Sequence, residues 1–504
     1  GDLNEVHRME TFDMDATNGF LDSKWYHLYC SVQRCNSALR VLNAATDEQV
    51  NGRVSRIAEM KVLRAHYYFE LSRLFNKIPY FDENVEISQY PDIPNNEFTR
   101  DEILSMLAKE MLDAAEQLPA SQPEVGRIHK YIALAYAAKI KLYQAYQQDE
   151  ITHAVTSINK ELLREVVSLC DQVTASNRYG LLDDFQGLDL VTNENGKESV
   201  FAIQYSMNDG TESAGRINWS NLLNSPGGGS PYGGDGFFLP SQDLINAYQT
   251  DANGLPDFNY QSKSDYSWAV LNNGVYTLQN TTPNVDPRLD FVVGRPTITW
   301  KTYPDKPCEG WVRDKDTYGY NCAKRFWVSP ESSDMFNGWP WGASQLNWQI
   351  IRYADILLWK AEALIELNEG NGLETARDLI NQIRNRARNS AYVKDFNDHS
   401  KYAANYLVNP YPADVWNQDY ARQALRWETR LEKALEGERF FDLVRWGIVE
   451  TTMNKYITAE SDNRIYYANA HFTGGKDEYY PVPNNQYGFS GGKYVQNPGY
   501  APFN

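Results

Sequence analysis

The amino-acid sequence predicts a mainly α-helical protein in which tetratricopeptide-like helical hairpins pack against a large, irregular, loop-rich insertion with few short strands. Three observations carry that prediction. Two blocks repeat apolar residues at three- and four-residue spacing. The stretch between them is rich in Gly, Pro, Asn, Ser and Tyr and has no sustained period. The length, 504 residues, exceeds what one hydrophobic core usually reaches. The expected organisation is an N-terminal helical-repeat region at 1–181, a loop-rich ligand-binding insertion at 182–348, a second block of helical hairpins at 349–447, and an extended C-terminal segment at 448–504 laid over the scaffold.

In the first block, RIAEMKVLRAHYYFELSRLFN places Met60, Leu63, Tyr67, Leu71 and Leu74 on one stripe and stops before Pro79, which bars continuation. Thr99 is a fitting N-cap for RDEILSMLAKEMLDAAEQL, with Asp101 and Glu102 at the positive end of the helix. The Ala-rich HKYIALAYAAKIKLYQAY from His129 permits close helix packing. The insertion contains SPGGGSPYGGDGFF, which reads as loop. Helical period returns with Ile350, Ile351, Ala354, Leu357, Leu358, Ala361 and Ile365. It continues past the Asn371-Gly372 turn with Ala376, Ile380 and Ile383, and a later helix ends at VRWG with Gly447 as a left-handed cap. The paired-helix rhythm is that of helical hairpins, without a strict 34-residue repeat.

Composition narrows the function. A net charge of −18 opposes binding to nucleic acid, whose affinity rests on clustered Lys and Arg. No apolar run of about 18 residues is present, so no membrane-spanning helix is expected. The chain opens GDLNEV with no initiator Met, which suggests a processed or trimmed chain whose export signal, if it had one, lies outside this sequence. Five cysteines make no disulfide scaffold; Cys308 and Cys322 share one loop-like region and either bridge in an oxidising compartment or remain two thiols.

Catalytic motifs occur only in fragments. GFSGG at 488–492 satisfies G-x-S-x-G, but no apolar strand precedes Ser490 and the last histidine, His471, lies upstream. Asp314-Lys-Asp316-Thr-Tyr-Gly319 begins like a calcium loop, yet position twelve is Arg325. Seven histidines show no ligand spacing, and Gly227 to Gly229 lead into no Gly-Lys-Ser/Thr, so neither metal nor cofactor is expected. Paired carboxylates of a glycoside hydrolase remain an alternative that only spatial separation decides.

QIIRYADILLWKAEALIELNEG, ARDLINQIRNRA and ETRLEKALEGERFFDLVRWG resemble the SusD/RagB family of outer-membrane nutrient-binding lipoproteins of the Bacteroidetes. MKVLRAHYYFELSRLFNKIPY, DPRLD, YYPVPNNQ and QNPGY extend the resemblance in order along nearly the whole chain. The resemblance implies one SusD-like unit at the extracellular face of the outer membrane, tethered through a lipidated N-terminal Cys outside this sequence. It further implies a non-catalytic protein that captures oligosaccharide or polysaccharide and presents it to a SusC-like TonB-dependent transporter; the RagB branch takes peptides. Arg64, Arg352, Asp355, Glu362, Arg439, Asp442 and Arg445 in these motifs read as buried or capping ion pairs rather than ligand contacts. A helical scaffold for protein interaction is a further alternative.

A glycan should meet the variable loops. Six of the 13 tryptophans, Trp300, Trp311, Trp327, Trp339, Trp341 and Trp348, fall within residues 300–348, three of them in MFNGWPWGASQLNWQ at 335–349. Sugar C–H faces pack on aromatic rings while hydroxyls seek polar groups at the rim. Trp311, Trp327, Trp339 and Trp341 are the expected stacking rings, with Trp300 and Tyr320 as further candidates. The competing role, packing loops onto helices, is expected for half of the tryptophans, Trp348 among them. In the family the loop after the MKVLRAHYYFELSRLF-type helix also faces ligand, often with a Trp. Here 79–94 has Tyr80 and Tyr90 but no Trp. Asp13, Asp15 and Asn18 are candidate hydroxyl-binding residues, the competing role being an ordinary cap and turn.

Overall fold

A computed structural model of the chain describes residues 3–503 except 212–214, 220–228, 234–235, 267–268, 273–274, 279–282, 297, 302–310, 313–314, 320, 337 and 339–341. It is mainly helical, with 48% helix against 8% strand, as the periodicity predicts. The chain forms two compact units: Gly1–Ser176, Phe440–Ile457 and Asn469–Asn504 make the first, and Asn177–Arg439 with Thr458–Ala468 the second.

The first unit opens with α1 (Asn4–Glu10), α2 (Gly19–Ala44), α3 (Arg53–Phe75), α4 (Arg100–Gln117), α5 (Lys130–Ala145) and α6 (Lys160–Ala175). From α2 to α6 each helix packs on the next in sequence. Thr99 caps α4 through a reciprocal box with Glu102. In α5, Ala133, Ala135, Ala137 and Ala138 are fully buried, because their small side chains let neighbours approach the backbone. Leu71 and Leu74 of the expected α3 stripe are buried, but toward the start of the helix the buried face lies a step away: Val62, Ala65, Phe69 and Ser72 are buried, whereas Met60, Leu63 and Tyr67 sit half-buried at its margin. The hairpin β1 (Tyr146–Gln148) and β2 (Val155–Ile158) precedes α6.

The second unit contains β3 (Ser199–Ile203), α7 (Gln242–Ala247), β4 (Gln249–Thr250), β5 (Ala269–Asn272), β6 (Val275–Leu278), β7 (Asn284–Val285), α8 (Arg288–Val292), β8 (Val293–Gly294), α9 (Lys315–Tyr318), β9 (Cys322–Ala323) and β10 (Trp348–Arg352). The helices α10 (Tyr353–Leu367), α11 (Gly372–Asn389) and α12 (Gln418–Glu432) follow. Its strands pair antiparallel as β3 with β10, β4 with β7, β5 with β6 and β8 with β9. Ile350 and Ile351, expected on the helical stripe, belong to β10, because pairing with β3 captures them before α10 begins. Ala354, Leu357, Leu358, Ala361, Ile365, Ala376, Ile380 and Ile383 are buried in one core with α12, as expected.

The chain then forms α13 (Arg439–Arg445), ended by Gly447 at φ +66, α14 (Val449–Glu460) and α15 (Asn484–Phe489). Much of the C-terminal segment is extended and bonded into the first unit: Tyr480 N–H donates to the Leu74 carbonyl at 2.8 Å and Asn497 Nδ2 to the Phe75 carbonyl at 2.7 Å. Ser490 caps the end of α15, its hydroxyl donating to the Tyr487 carbonyl at 2.8 Å, so GFSGG is a turn.

The motif charges are structural. Arg352 Nη1 lies 2.7 Å from Glu432 and 3.1 Å from Glu198, and its Nη2 2.9 Å from Glu436; Arg386 pairs with the same Glu198 and Glu432. Arg288 reaches Asp286 at 2.7 Å, Glu428 at 2.6 Å and Glu432 at 3.1 Å, while Arg384 shares Glu428 at 3.0 Å. Lys433 pairs with Asp355, and Arg325 connects Glu436 to Asp189, which also holds Lys301 at 2.8 Å. Elsewhere, Arg64 is clasped by Glu83 and Glu110, and Arg445 by Asp442 at 2.9 Å.

Burial by itself would raise the Glu432 carboxyl, but Arg386, Arg352 and Arg288 outweigh it and hold the pKa down, from 4.5 to about 2. Its contribution to stability is therefore whole above about pH 4.5 and is lost as the pH falls toward 2. Glu432→Ala, which strands several buried guanidinium groups, should cost about 3–5 kcal/mol in denaturant unfolding and flatten the acid limb of the stability profile.

Candidate functional site

Three of the tryptophans expected at the surface are inside. Trp300, Trp311 and Trp327 are at most 1% exposed and form a small core with Tyr232, Val312 and Cys322, bordered by Leu239, Tyr318 and Met335. Tyr232 lies 5.2 Å from Trp300 and 4.7 Å from Trp327 between ring centroids, and Trp311 packs edge-on to Trp300 at 5.8 Å. Their polar handles are used internally: Trp300 Nε1 donates to the Ala323 carbonyl at 3.2 Å, and the Tyr232 hydroxyl to that of Val328 at 2.5 Å. An insertion short of regular elements has to bury large rings to hold its shape, and that requirement takes these three away from a ligand. Trp339, Trp341 and Tyr320 lie outside the described residues. Trp348, expected in the core, is half-buried on β10 with its ring 4.6 Å from Phe326. Cys322 is a free, buried thiol; Cys308 lies outside the described residues.

In the first unit, Tyr90 is buried and stacks on Phe81 at 3.9 Å, with its hydroxyl held by Arg40 at 3.1 Å. Tyr80 is half-buried between Tyr68 at 4.6 Å and Phe98 at 6.3 Å. Both rings pin the irregular 79–94 loop, so neither offers an open platform. Asn18 caps α2 by accepting from Phe20 and Leu21 N–H. Asp15 accepts from the Thr17 hydroxyl and from Arg8; the Thr17 bond first, then Arg8, holds its carboxyl down at about 2 despite partial burial. Asp13 is exposed and pairs with Arg8 at 3.3 Å. The three form the cap and turn that open α2.

Within the stretch 335–349 the described residues pair with one another and with residues to either side. Phe336 N–H donates to the Ala343 carbonyl at 2.8 Å, Met335 bridges Ser344, and Gln345 N–H donates to the Asp334 carbonyl at 3.1 Å. These bonds pair 334–336 with 343–345 as the two arms of a hairpin. Gly342 sits at φ +70 at the start of the second arm, and a Cβ there would overlap the Trp327 ring. The buried tryptophan is thus a post on which the hairpin rests. Asn218 pairs with its other edge, donating N–H to the Ser344 carbonyl at 2.8 Å and Nδ2 to that of Leu346 at 3.2 Å. The next residue, Trp219, is 40% exposed. Sequence reasoning missed it because RINWSN lies outside the 300–348 cluster; its signal was a single Trp among polar loop residues.

A chain of amides runs along the hairpin. The Asn347 side chain donates to Gln204 at 3.1 Å and accepts from Tyr205 N–H at 2.7 Å. Gln204 and Asn195 exchange bonds at 2.9 and 3.1 Å, and Gln345 donates to Asp334 at 2.7 Å. Glu194 accepts from Asn347 N–H at 2.5 Å; burial, outweighing that bond, lifts its carboxyl from 4.5 to about 7, with Asp334 adding to the rise. Rings that are exposed or half-buried beside donors and acceptors in fixed orientation suit a polyhydroxylated ligand better than an apolar one. Among the described residues no group of three or more His, Cys, Asp or Glu could hold a metal ion, and no helix is long and apolar enough to cross a membrane.

A family model described as the SusD family matches residues 197–500, and one described as starch-binding associating with outer membrane matches residues 3–142. The chain is 22% identical over 457 residues to a SusD-like protein of Bacteroides ovatus, covering 86% of this chain and 67% of that protein. It is similar to the crystal structure of a SusD superfamily protein from Bacteroides vulgatus (TM-score 0.71, 20% identity, 99% of this chain and 90% of that one). It is also similar to surface glycan-binding protein A from Bacteroides thetaiotaomicron in complex with laminarihexaose (TM-score 0.67, 20% identity, 98% and 89%).

Two substitutions test the geometry. Gly342→Ala combines backbone strain with displacement of the Trp327 ring; it should cost about 2 kcal/mol and change the near-ultraviolet circular dichroism of the tryptophans. The raised Glu194 carboxyl binds its proton more tightly folded than unfolded, so its ionisation weakens the fold as pH rises from about 4.5 through about 7. Glu194→Gln should therefore melt higher than wild type at pH 8 and like wild type near pH 4.

Proposed function

The chain belongs to the SusD family, and from that premise we propose that it is a non-catalytic surface protein that binds oligosaccharide or polysaccharide through the face built on the 335–349 hairpin. The observation that carries this reading is exposed Trp219 beside a hairpin that rests on buried Trp327 and is lined by the Asn347, Gln204 and Gln345 amides. Trp219, together with the expected stacking rings Trp339 and Trp341, supplies rings for the C–H faces of successive sugar units, and the amides exchange bonds with hydroxyls at their edges. Each stacked ring contributes about 1 kcal/mol, so affinity is modest and grows with the number of units engaged. The laminarihexaose bound by the structural relative supports glycan as the ligand class.

In this reading the protein sits at the extracellular face of the outer membrane on an N-terminal lipid anchor and delivers its ligand to a SusC-like TonB-dependent transporter. The description of the matching N-terminal family, starch-binding associating with outer membrane, supports that location.

Native gels cast with a panel of plant, host and microbial polysaccharides test the reading. Wild type should be retarded by at least one, Trp219→Ala should lose about fivefold in affinity, and Trp339→Ala/Trp341→Ala should lose more. No reducing ends should accumulate. Full retardation of both variants would remove this face from binding, retardation by no glycan would turn attention to peptides, and released reducing sugar would make the protein an enzyme.

A further inference from the structure

The second unit carries another aromatic face, on a hairpin that shares no described residue with the Trp219 site. AYVKDFNDHSKYAANY, residues 391–406, joins α11 to the segment before α12. Lys394 bridges Tyr402 antiparallel, Ala403 N–H donates to the Val393 carbonyl at 3.1 Å, and Asp395 N–H to that of Lys401 at 3.1 Å. The turn is tied by the Asp395 carboxylate, which accepts from Asn397 N–H at 2.7 Å and Asp398 N–H at 3.0 Å. The base is anchored where Val285 exchanges backbone bonds with Asn405 at 2.9 Å and Leu407 at 3.0 Å. The hairpin is a fixed support.

Strand alternation sorts its side chains. Ala403 is buried and Val393, Ala404, Tyr392 and Tyr406 pack on the core, while Tyr402, next to Ala403 in the chain, points outward over Lys394. The three rings form a cluster, with centroids 5.4 Å apart for Tyr392 and Tyr402, 5.1 Å for Tyr392 and Tyr406, and 6.2 Å for Tyr402 and Tyr406. Two are pinned: the Tyr392 hydroxyl donates to the Arg388 carbonyl at 2.9 Å and the Tyr406 hydroxyl to Asp290 at 2.5 Å. Tyr402 is 54% exposed, and its hydroxyl has no hydrogen-bond partner among the described residues. Lys394 Nζ lies 3.8 Å from the Tyr402 ring centroid and has no carboxylate partner among those residues, whereas the neighbouring Lys401 is tied to Asp398 at 2.8 Å.

We infer that Tyr402 and Lys394 form a second carbohydrate contact, which takes a unit of a neutral polysaccharide engaged elsewhere on the chain by the Trp219 face. The inference rests on the glycan-binding reading above. An outward phenol ring with an unengaged hydroxyl, one face covered by an ammonium that has no carboxylate partner among the described residues, offers a sugar its exposed edge and outer face together with donors for its hydroxyls. A wholly apolar partner would strip water from Lys394 with no compensation. A polyanion meets a net charge of −18 against one unpaired lysine. A neutral polymer incurs neither penalty. Two weak contacts on one unit raise the avidity for long chains, because the second binding event is intramolecular, and leave short oligosaccharides unaffected.

The test compares wild type, Tyr402→Ala, Tyr402→Phe, Lys394→Gln and Trp219→Ala in native gels cast with laminarin or starch as neutral polymers and alginate as an acidic one. Short oligosaccharides of the retarding polymer are titrated calorimetrically in parallel, and near-ultraviolet circular dichroism checks each fold. Tyr402→Ala should weaken retardation by the neutral polymer about fivefold without altering oligosaccharide affinity, and Tyr402→Phe should retain most of it. Hydrogen exchange of the 393–403 amides in Trp219→Ala should slow on adding that polymer. Unchanged retardation of Tyr402→Ala overturns the second contact and leaves the first standing. Retardation of wild type by neither neutral polymer overturns the neutral-glycan assignment, and stronger, Lys394-dependent retardation by alginate does the same. An equal loss for short oligosaccharides places Tyr402 in the primary site and overturns its independence.

Discussion

The second unit depends on one constraint, the electrical closure of its interior. Arg288, Arg352, Arg384, Arg386, Arg325, Lys301 and Lys433 face Asp189, Glu198, Asp286, Asp355, Glu428, Glu432 and Glu436, seven cations against seven anions in one connected set. Taking any one of these groups out of water alone is costly, and only simultaneous pairing repays it. The set draws on α8, β10, α10, α11, α12 and the segments that hold Asp189, Glu198, Asp286, Lys301, Arg325, Lys433 and Glu436, so those parts assemble together or leave a charge stranded. Arg325 and Lys301 extend it into the Trp-rich insertion, one residue from the ring of Phe326 and beside that of Trp300. The loops that carry the candidate site are held electrostatically from one side and by aromatic packing from the other.

Sequence reading recovered the parts governed by local rules. Thr99 and Glu102, Pro79 and Gly447 marked helix ends because capping and φ preferences act within a few residues. Motif charges such as Arg352 and Asp355 were legible as buried pairs because charges on the apolar faces of helices have few other fates. The boundary at Ile350 and Ile351 was not legible: an apolar run fits both periods, and a strand 145 or more residues upstream, β3, decided it.

The candidate site divided along the same line. A cluster of tryptophans in loop sequence announced a function but not a partition between support and contact. Trp300 and Trp327 became support where Gly294 and Gly342 leave room for their rings, and Trp311 where it packs edge-on to Trp300. Trp219 became surface because Asn218 docks against Ser344, a pairing across more than 120 residues that no spacing rule anticipates. Tyr90 and Tyr80 were drawn inward by Phe81, Tyr68 and Phe98. What a sequence states about an insertion is how many rings it has; which of them are spent on its own small core is a long-range fact.

The path of the chain through the first unit sets the order in which it can be made. Asn497 Nδ2 satisfies the carbonyls of Phe75 and Tyr480, and Asn95 holds Val495 from both its amide atoms. The end of α3 therefore waits, with its last carbonyls unanswered, while more than 400 further residues are synthesised. Such contacts form late because closing so long a loop is entropically slow. The second unit, nearly continuous in sequence, has no such wait. In a vectorially synthesised chain the end of α3 thus keeps its last carbonyls open to water until the C-terminal segment is made.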